Sequence, residues 1–180
     1  MLQLDFPGYE TWDPVKEEFI YTQGAKNVQL EHSLLSISKW ESKYHKPFLE
    51  TKMSVEELIY YISKCMCITK GINEDIFLHA PKSILDEINA YINDPMTATP
   101  KLPSDKGASN EIITSELIYY WMSQGNINWD AERWHLNRLL KLIELTSYKN
   151  TPPEKRSKAD MFKDRREENA RRRALWNTKG

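Results

Sequence analysis

The stretch from residue 112 to residue 143 constrains the fold more than any other part of the chain. Residues 111–123 read EIITSELIYYWMS and place apolar side chains on every face of a helix, so that helix must be buried in this chain or against another. Gly125 stands where helices often end in a left-handed residue, and Asn128 can cap the helix that follows. The connection is short, which predicts an antiparallel, aromatic-rich helical hairpin over residues 111–150.

Three of the six tryptophans, Trp121, Trp129 and Trp134, fall inside this hairpin. Large aromatic residues most often belong to a core, and we expect Trp121 to lie there with Leu139 and Ile143. The alternative is that part of the tryptophan cluster stays exposed as an anchor for a partner, because tryptophan is enriched in interface hot spots.

Further helices are predicted upstream of the hairpin. Ser36 can cap a short helix, and Ser54 with Glu57 forms a capping box that opens the next one. NEDIFLHA adds a short turn, and Pro81 opens a helix that runs to residue 92. The apolar residues that these patterns turn toward the core are Ile37, Trp40, Tyr44, Leu58, Ile59, Ile62, Cys65, Met66, Ile84, Leu85, Ile88, Tyr91 and Ile92.

Extended structure is expected near the N-terminus. The runs EEFIYT and NVQLEH contain strand-forming residues and are separated by QGAK, which predicts a β-hairpin with Gly24 in its turn. The fold class is therefore mainly α: a small helical domain with an N-terminal β-hairpin and a C-terminal basic helical tail.

Breaks in the pattern divide the chain. Residues 1–92 hold the β-hairpin and the first helices, and residues 93–110 form a proline-containing linker or long loop. Residues 111–150 are expected to pack on the N-terminal part. The sequence TPP then separates the C-terminal segment, residues 151–180, which we expect to be a mobile helix with Ser157 and Asp160 near its start.

Charge is unevenly distributed between these parts. Residues 151–180 hold ten basic and five acidic residues, a net of +5, which leaves the first 150 residues with 15 basic and 21 acidic residues, a net of −6. Glu167 with Arg171, and Glu168 with Arg172, are spaced as favourable i, i+4 pairs. RREENARRR could bind nucleic acid, but its acidic residues equally suit a solvated helix that docks on an acidic protein surface.

Residues that would support catalysis or metal binding are sparse. Cys65 and Cys67 lack the further ligands that a zinc site needs, so we expect two buried or half-buried thiols. The histidines are scattered, and His135 is expected on a half-buried helix face. Neither a secretory signal nor an apolar run of membrane-spanning length is recognised. No enzyme activity, cofactor or metal is predicted.

Several blocks together resemble a known group of proteins. LEHSLLSISKWESKYHKPFL, ITSELIYYWM, ERWHLNRLLKLIEL and the ending RRRALWNTKG are similar, in order and spacing, to tail assembly chaperones of tailed bacteriophages. The resemblance extends from about Phe19 to the C-terminus. It implies a small, largely helical, non-enzymatic protein that acts in the host cytoplasm during virion morphogenesis.

The resemblance also implies the partners. Such chaperones bind the tape-measure protein and the tail-tube protein, and a second copy of the chain is a further candidate partner. The residues expected to contact a partner are Trp121, Trp129, Trp134, Arg165, Arg166, Arg171, Arg172, Arg173 and Trp176. Two alternatives stay open: a structural tail or connector protein that remains in the virion, and a nucleic-acid-binding protein that acts through the arginines.

Overall fold

The computed structural model describes residues 1–100, 111–150 and 158–176. The chain divides into two compact units, residues 1–148 and residues 149–180. Helices account for most of the described residues and strands are confined to the first 30, which confirms the mainly α class. Most of the predicted linker, at 101–110, lies outside the described residues, as does Ser157.

Four strands form one long, bent hairpin at the N-terminus. They are β1 (Leu2–Phe6), β2 (Tyr9–Asp13), β3 (Glu18–Gln23) and β4 (Lys26–Leu30). β1 pairs antiparallel with β4, here called the base ladder, and β2 pairs antiparallel with β3, here called the arm ladder. The prediction that β3 and β4 pair around Gly24 is wrong, because Gly24 lies at the junction between the two ladders.

The tight turn of the hairpin lies at residues 14–17 instead. One carboxylate oxygen of Asp13 accepts hydrogen bonds from the backbone N–H groups of Val15 and Lys16, at 2.8 and 3.3 Å. Glu17 has a φ of 52°, the left-handed conformation that completes the reversal. An aspartate followed by a proline therefore starts the turn.

The first helix, α1, spans Leu34–Tyr44 and packs at the centre of the first unit. Its cap is Ser33 rather than the expected Ser36: Ser33 accepts from the Ser36 N–H, and the Ser36 hydroxyl oxygen accepts from the Ser33 N–H. Ser36 therefore takes the third position of a capping box. Trp40 is fully buried, and its indole N–H donates to the Glu57 carbonyl at 3.3 Å.

The capping box predicted at Ser54 and Glu57 is confirmed, and it opens α2 (Val55–Tyr60). The helix continues as a π-helix over Tyr61–Met66, a wider turn that the sequence pattern did not indicate. Beyond it the chain runs beside β4: the Glu31 N–H donates to the Met66 carbonyl at 2.8 Å, and the Ile68 N–H donates to the Gln29 carbonyl at 2.9 Å.

Two helices complete the middle of the chain, α3 (Asp75–Leu78) and α4 (Lys82–Asn93). The apolar stripe of α4 is largely as predicted, with Ile84, Ile88 and Tyr91 buried. Leu85 is the exception and is 41% exposed.

The segment after the linker contains α5 (Ser115–Gln124), a 3-10 helix (Trp129–Arg133) and α6 (Leu136–Asn150). α5 is not buried on every face as expected: Ile118 and Met122 are buried, whereas Tyr120 is 57% exposed. The left-handed residue at its end is Asn126 (φ 51°), not Gly125, whose φ is −80°.

The helices α5 and α6 do not form the simple hairpin that was predicted. A β-carbon at Gly125 would lie 3.2 Å from Thr146 Cγ2, so the end of α5 approaches the later turns of α6 and not its start. The Trp121 carbonyl oxygen would lie 3.3 Å from the same β-carbon, so there is little room for a larger residue at this point. The first turn of α6 is instead held near β4, where the Leu136 N–H donates to the His32 carbonyl at 3.0 Å.

Buried Glu41 joins α5 to α1. One carboxylate oxygen accepts from the Ser115 N–H at 2.7 Å and the other from the Phe48 N–H at 2.8 Å. Both bonds are charge-assisted, which offsets part of the cost of burying the carboxylate. Leu139 on α6 is fully buried, and Ile143 packs against the core in a half-buried position.

The second unit contains α7 (Lys158–Trp176), whose side chains from residue 162 onward are exposed. Of the two predicted ion pairs, Glu168 with Arg172 forms at 3.1 Å. Glu167 and Arg171 are not within ion-pair distance.

Candidate protein-binding surface

The described residues contain no cluster of histidine, cysteine and carboxylate side chains that could hold a metal ion. Among the described residues, no helix has both the length and the apolar character that crossing a bilayer requires. Burial raises the pKa of the Cys65 thiol to about 11, and it also raises the pKa of half-buried Cys67, so both remain protonated thiols at neutral pH.

The 3-10 helix determines where two of the tryptophans lie. The Asn128 side chain caps it by accepting from the Asp130 N–H at 3.0 Å, whereas the helix that the sequence placed after this cap, α6, begins only at Leu136. Buried Ala131 anchors the middle of the segment. Trp129 at its start and Trp134 immediately after its end are left at the surface, 56% and 38% exposed.

We call Tyr119, Trp129, Trp134 and Arg138 the aromatic ridge; it comprises two contacting pairs, Tyr119 with Trp129 and Arg138 with Trp134, at the two ends of the 3-10 helix. The rings of Tyr119 and Trp129 are 5.6 Å apart, and the Arg138 guanidinium lies 4.5 Å from the centre of the Trp134 ring. The Tyr119 hydroxyl donates to the Glu132 carboxylate at 2.8 Å. Burial, followed by this carboxylate, raises the pKa of Tyr119, so the hydroxyl stays a donor and holds the ring in place.

The third tryptophan does not join the ridge. Trp121 is half-buried and packs against the core, and no ring contact in the described chain links it to Trp129 or Trp134. The three tryptophans therefore divide between the two roles considered from sequence: one supports the core, and two are available to a partner.

The arginines predicted to contact a partner all lie on α7 and are exposed, as is Trp176 at 66%. This helix belongs to the other compact unit. Arg172 is tied to Glu168 on its own helix, whereas Arg165, Arg166 and Arg173 have no ion-pair partner among the described residues.

Sequence reasoning missed a second exposed aromatic pair, on the arm ladder. Trp12 and Phe19 are opposite each other in the antiparallel register, with ring centres 5.1 Å apart and planes at 68°. They are 53% and 67% exposed. The sequence places an aromatic residue on each side of Pro14, but their pairing can be predicted only once the turn is located at residues 14–17.

A buried polar cluster was also missed. His32 Nδ1 and the Tyr61 hydroxyl are 2.6 Å apart, the Tyr61 hydroxyl is 3.0 Å from the Ser36 hydroxyl, and the latter donates to the Ser33 carbonyl. These contacts place His32, Tyr61, Ser36 and the Ser33 carbonyl in one line. The result is a continuous chain of hydrogen bonds inside the core.

His135 belongs to the same cluster, with its ring centre 5.2 Å from that of His32. Its Nδ1 accepts from the Asn137 N–H, so its Nε2 carries the proton and donates to the Tyr91 carbonyl at 2.8 Å. His135 is more buried than the half-buried position predicted. Burial, with His135 as the second cause, lowers the pKa of His32 to about 4, and burial also lowers the pKa of His135. These neutral, buried histidines join the end of β4 to the surrounding helices.

An open groove of about 490 Å³ runs beside α6. It is lined by Asn93, Pro95, Thr97, Thr99, Asn137, Leu140, Lys141 and Glu144. Asn137 braces it by donating to the carbonyls of Ile92 and Asp94. The two charged residues of the groove, Lys141 and Glu144, pair with each other at 2.9 Å, so neither charge is left free for a charged small molecule.

No protein-family model, no curated protein and no solved structure matches this chain.

Proposed function

We propose that the protein is a non-enzymatic tail assembly chaperone of a tailed bacteriophage, which binds the tape-measure protein and the tail-tube protein before they assemble. The resemblance in sequence suggests these clients. The aromatic ridge is the observation that carries the proposal, because it exposes residue types that dominate the energy of protein interfaces.

The chemistry of the ridge suits an apolar helix from a client. Trp129 and Trp134 provide broad apolar contact area with few rotatable bonds, and Arg138 lies over one of them. Tyr119 is held by Glu132, so part of the surface is ordered before a partner arrives. An amphipathic helix that lays its apolar face on the ridge would gain hydrophobic contact without a large ordering cost.

A pull-down from cells infected with the phage that encodes the chain tests this function. Tape-measure or tail-tube protein, identified by mass spectrometry, should be recovered with the wild type and strongly reduced with the Trp129→Ala/Trp134→Ala double variant. The matched control is Trp12→Ala/Phe19→Ala, which removes a similarly exposed aromatic pair from the arm ladder. Equal losses in both variants would overturn the assignment to the ridge.

Purified phage particles separate the chaperone from the structural alternative. A chaperone is released during assembly and should be absent from finished particles. Detection of the protein at a fixed copy number per particle would overturn the chaperone proposal and favour the tail or connector component.

A further inference from the structure

The arginines of α7 are not spread evenly around the helix. Side chains three, four and seven positions apart share one face, because an α-helix has about 3.6 residues per turn. Phe162, Asn169 and Trp176 are seven positions apart and form the centre line of such a face. Phe162 and Trp176 are exposed by 61% and 66%, so both ends of this line are accessible.

Two rows of arginine flank the centre line. Arg165 and Arg172 lie on one side of it, and Arg166 and Arg173 lie on the other. The members of each row are about 10 Å apart along the axis, and the rows are separated by about 100° around it. We call this surface the arginine face; its order of residue types is the same when read from either end, with Asn169 at the centre.

The carboxylates of α7 lie off this face. Asp164 and Glu167 are on the far side of the helix, and Glu168 lies at the border, where it pairs with Arg172. Arg171 also lies on the far side of the helix. It is therefore on a different face from Arg172 and Arg173, with which it forms a run in the sequence. The arginine face thus carries four cations: Arg165, Arg166 and Arg173 have no ion-pair partner among the described residues, and Arg172 pairs with Glu168 at the border.

We propose that the arginine face of α7 binds the phosphate backbone of duplex DNA, seated in the major groove and largely independent of base sequence.

A partner helix from another protein fits this face poorly. Helix-to-helix packing needs apolar residues along the whole stripe, whereas the centre of this one is Asn169 and its apolar residues are confined to the two ends. Exposed ion pairs to carboxylates would contribute little individually. Phosphates differ because each contact releases a condensed counterion, and arginine can bind a phosphate through two N–H groups.

The spacing of the two rows favours a duplex over a single strand. The major groove of B-form DNA is about 12 Å wide and accepts one α-helix. A helix seated there with Asn169 toward the bases would direct Arg165 and Arg172 to one strand, and Arg166 and Arg173 to the other. The four arginines are arranged alike in both directions along the helix, which suits binding without a defined sequence.

Titration of the full-length protein with a short, fluorescein-labelled DNA duplex of mixed sequence, followed by anisotropy at several NaCl concentrations, tests the proposal. Each phosphate contact contributes about −0.9 to the slope of log K against log salt, so four contacts contribute about −3.6. Arg166→Gln/Arg173→Gln should make the slope shallower by about 1.8. Far-UV circular dichroism checks that the helix content is unchanged.

Lys149→Gln/Lys163→Gln is the matched control, because it removes two cations that lie outside the arginine face. It should change the slope much less than the arginine variant does. Equal changes in both variants would mean that total charge, not this face, binds DNA, and would overturn the proposal. No binding at low salt, or tighter binding to single-stranded RNA or to polyglutamate than to the duplex, would also overturn it.

Discussion

The base ladder and the arm ladder are two halves of one hairpin with opposite surroundings. Their strands have similar lengths, and both contain large apolar residues. In the base ladder, Phe6 and Leu30 are at most 1% exposed, whereas in the arm ladder Trp12 and Phe19 are more than half exposed. Strand-forming composition therefore says little about which half is buried.

The difference comes from what lies across each ladder. Phe6 meets Phe77 of α3 edge to face at 5.1 Å, and the residues after the π-helix run along β4. The arm ladder contains its own backbone pairing, the ring contact between Trp12 and Phe19 and, at its end next to the base ladder, the Tyr9 ring stacked on His79 at 4.3 Å. A shift in register at Tyr9 and Glu10 marks the bend between the halves. Isolated two-stranded ladders are marginally stable in water, so the base ladder should carry most of the stability.

The largest effect on stability is expected from shortening a buried side chain in the base ladder. Leu30→Ala removes a fully buried side chain and should lower the free energy of unfolding by about 2–5 kcal/mol, because the site is enclosed by packed elements. Urea denaturation followed by tryptophan fluorescence measures the change. A loss below about 1 kcal/mol would mean that the base ladder repacks freely and would remove its distinction from the arm.

Low pH should destabilise the part of the fold around the base ladder, because His32 directly follows β4. The unfolded chain takes up a proton at the ordinary pKa of 6.5, whereas folded His32 resists protonation until about pH 4. Stability should therefore fall as pH drops through that interval, by on the order of 3 kcal/mol from His32 alone, and His135 acts in the same direction.

Urea denaturation between pH 7 and pH 4 measures this dependence. His32→Gln should flatten it, whatever its effect on stability at neutral pH. The matched control is His79→Gln, which changes an exposed histidine that stacks on Tyr9 of β2 at 4.3 Å. An unchanged pH dependence in His32→Gln, or an equal flattening in His79→Gln, would contradict the role given to the buried cluster.

The smallest effect is expected in the arm ladder. Trp12→Ala removes a side chain that is 53% exposed and loses one edge-to-face ring contact, so it should cost about 1 kcal/mol or less. Thermal melting beside Leu30→Ala provides the comparison. A loss as large as that of Leu30→Ala would show that the arm belongs to the cooperative core.

Local signals in the sequence predicted helices better than strand partners. The capping box of Ser54 and Glu57, and the stripe of Ile84, Ile88 and Tyr91, are patterns within a few residues of each other, and the structure confirms them. Strand pairing depends on contacts between distant residues. Gly24 looked like a turn residue, but the chain reverses where Asp13 can accept backbone N–H groups.

The surface was harder to predict than the helices. The identity of a tryptophan does not reveal whether it is buried or exposed. Trp129 and Trp134 differ from Trp121 because the 3-10 helix between α5 and α6 places them at the surface. His32 and His135 are far apart in sequence, and their neighbouring positions become visible only when α6 returns to β4. The arginine face can be derived from helical spacing alone, but the sequence analysis treated RREENARRR as a single run of charges.

The segment after the π-helix has a consequence for aggregation. A free strand edge can template pairing with another chain, and many proteins protect such edges with charged residues or proline. Here β4 has β1 along one side, and the backbone of residues 66–68 pairs with the end of its other side, at Gln29 to Glu31, which closes that part of the edge to an incoming strand. That protection requires the π-helix Tyr61–Met66 to remain folded, because it positions residues 66–68. Local unfolding of this helix would therefore expose the edge of β4 to pairing with another chain before the core itself opens.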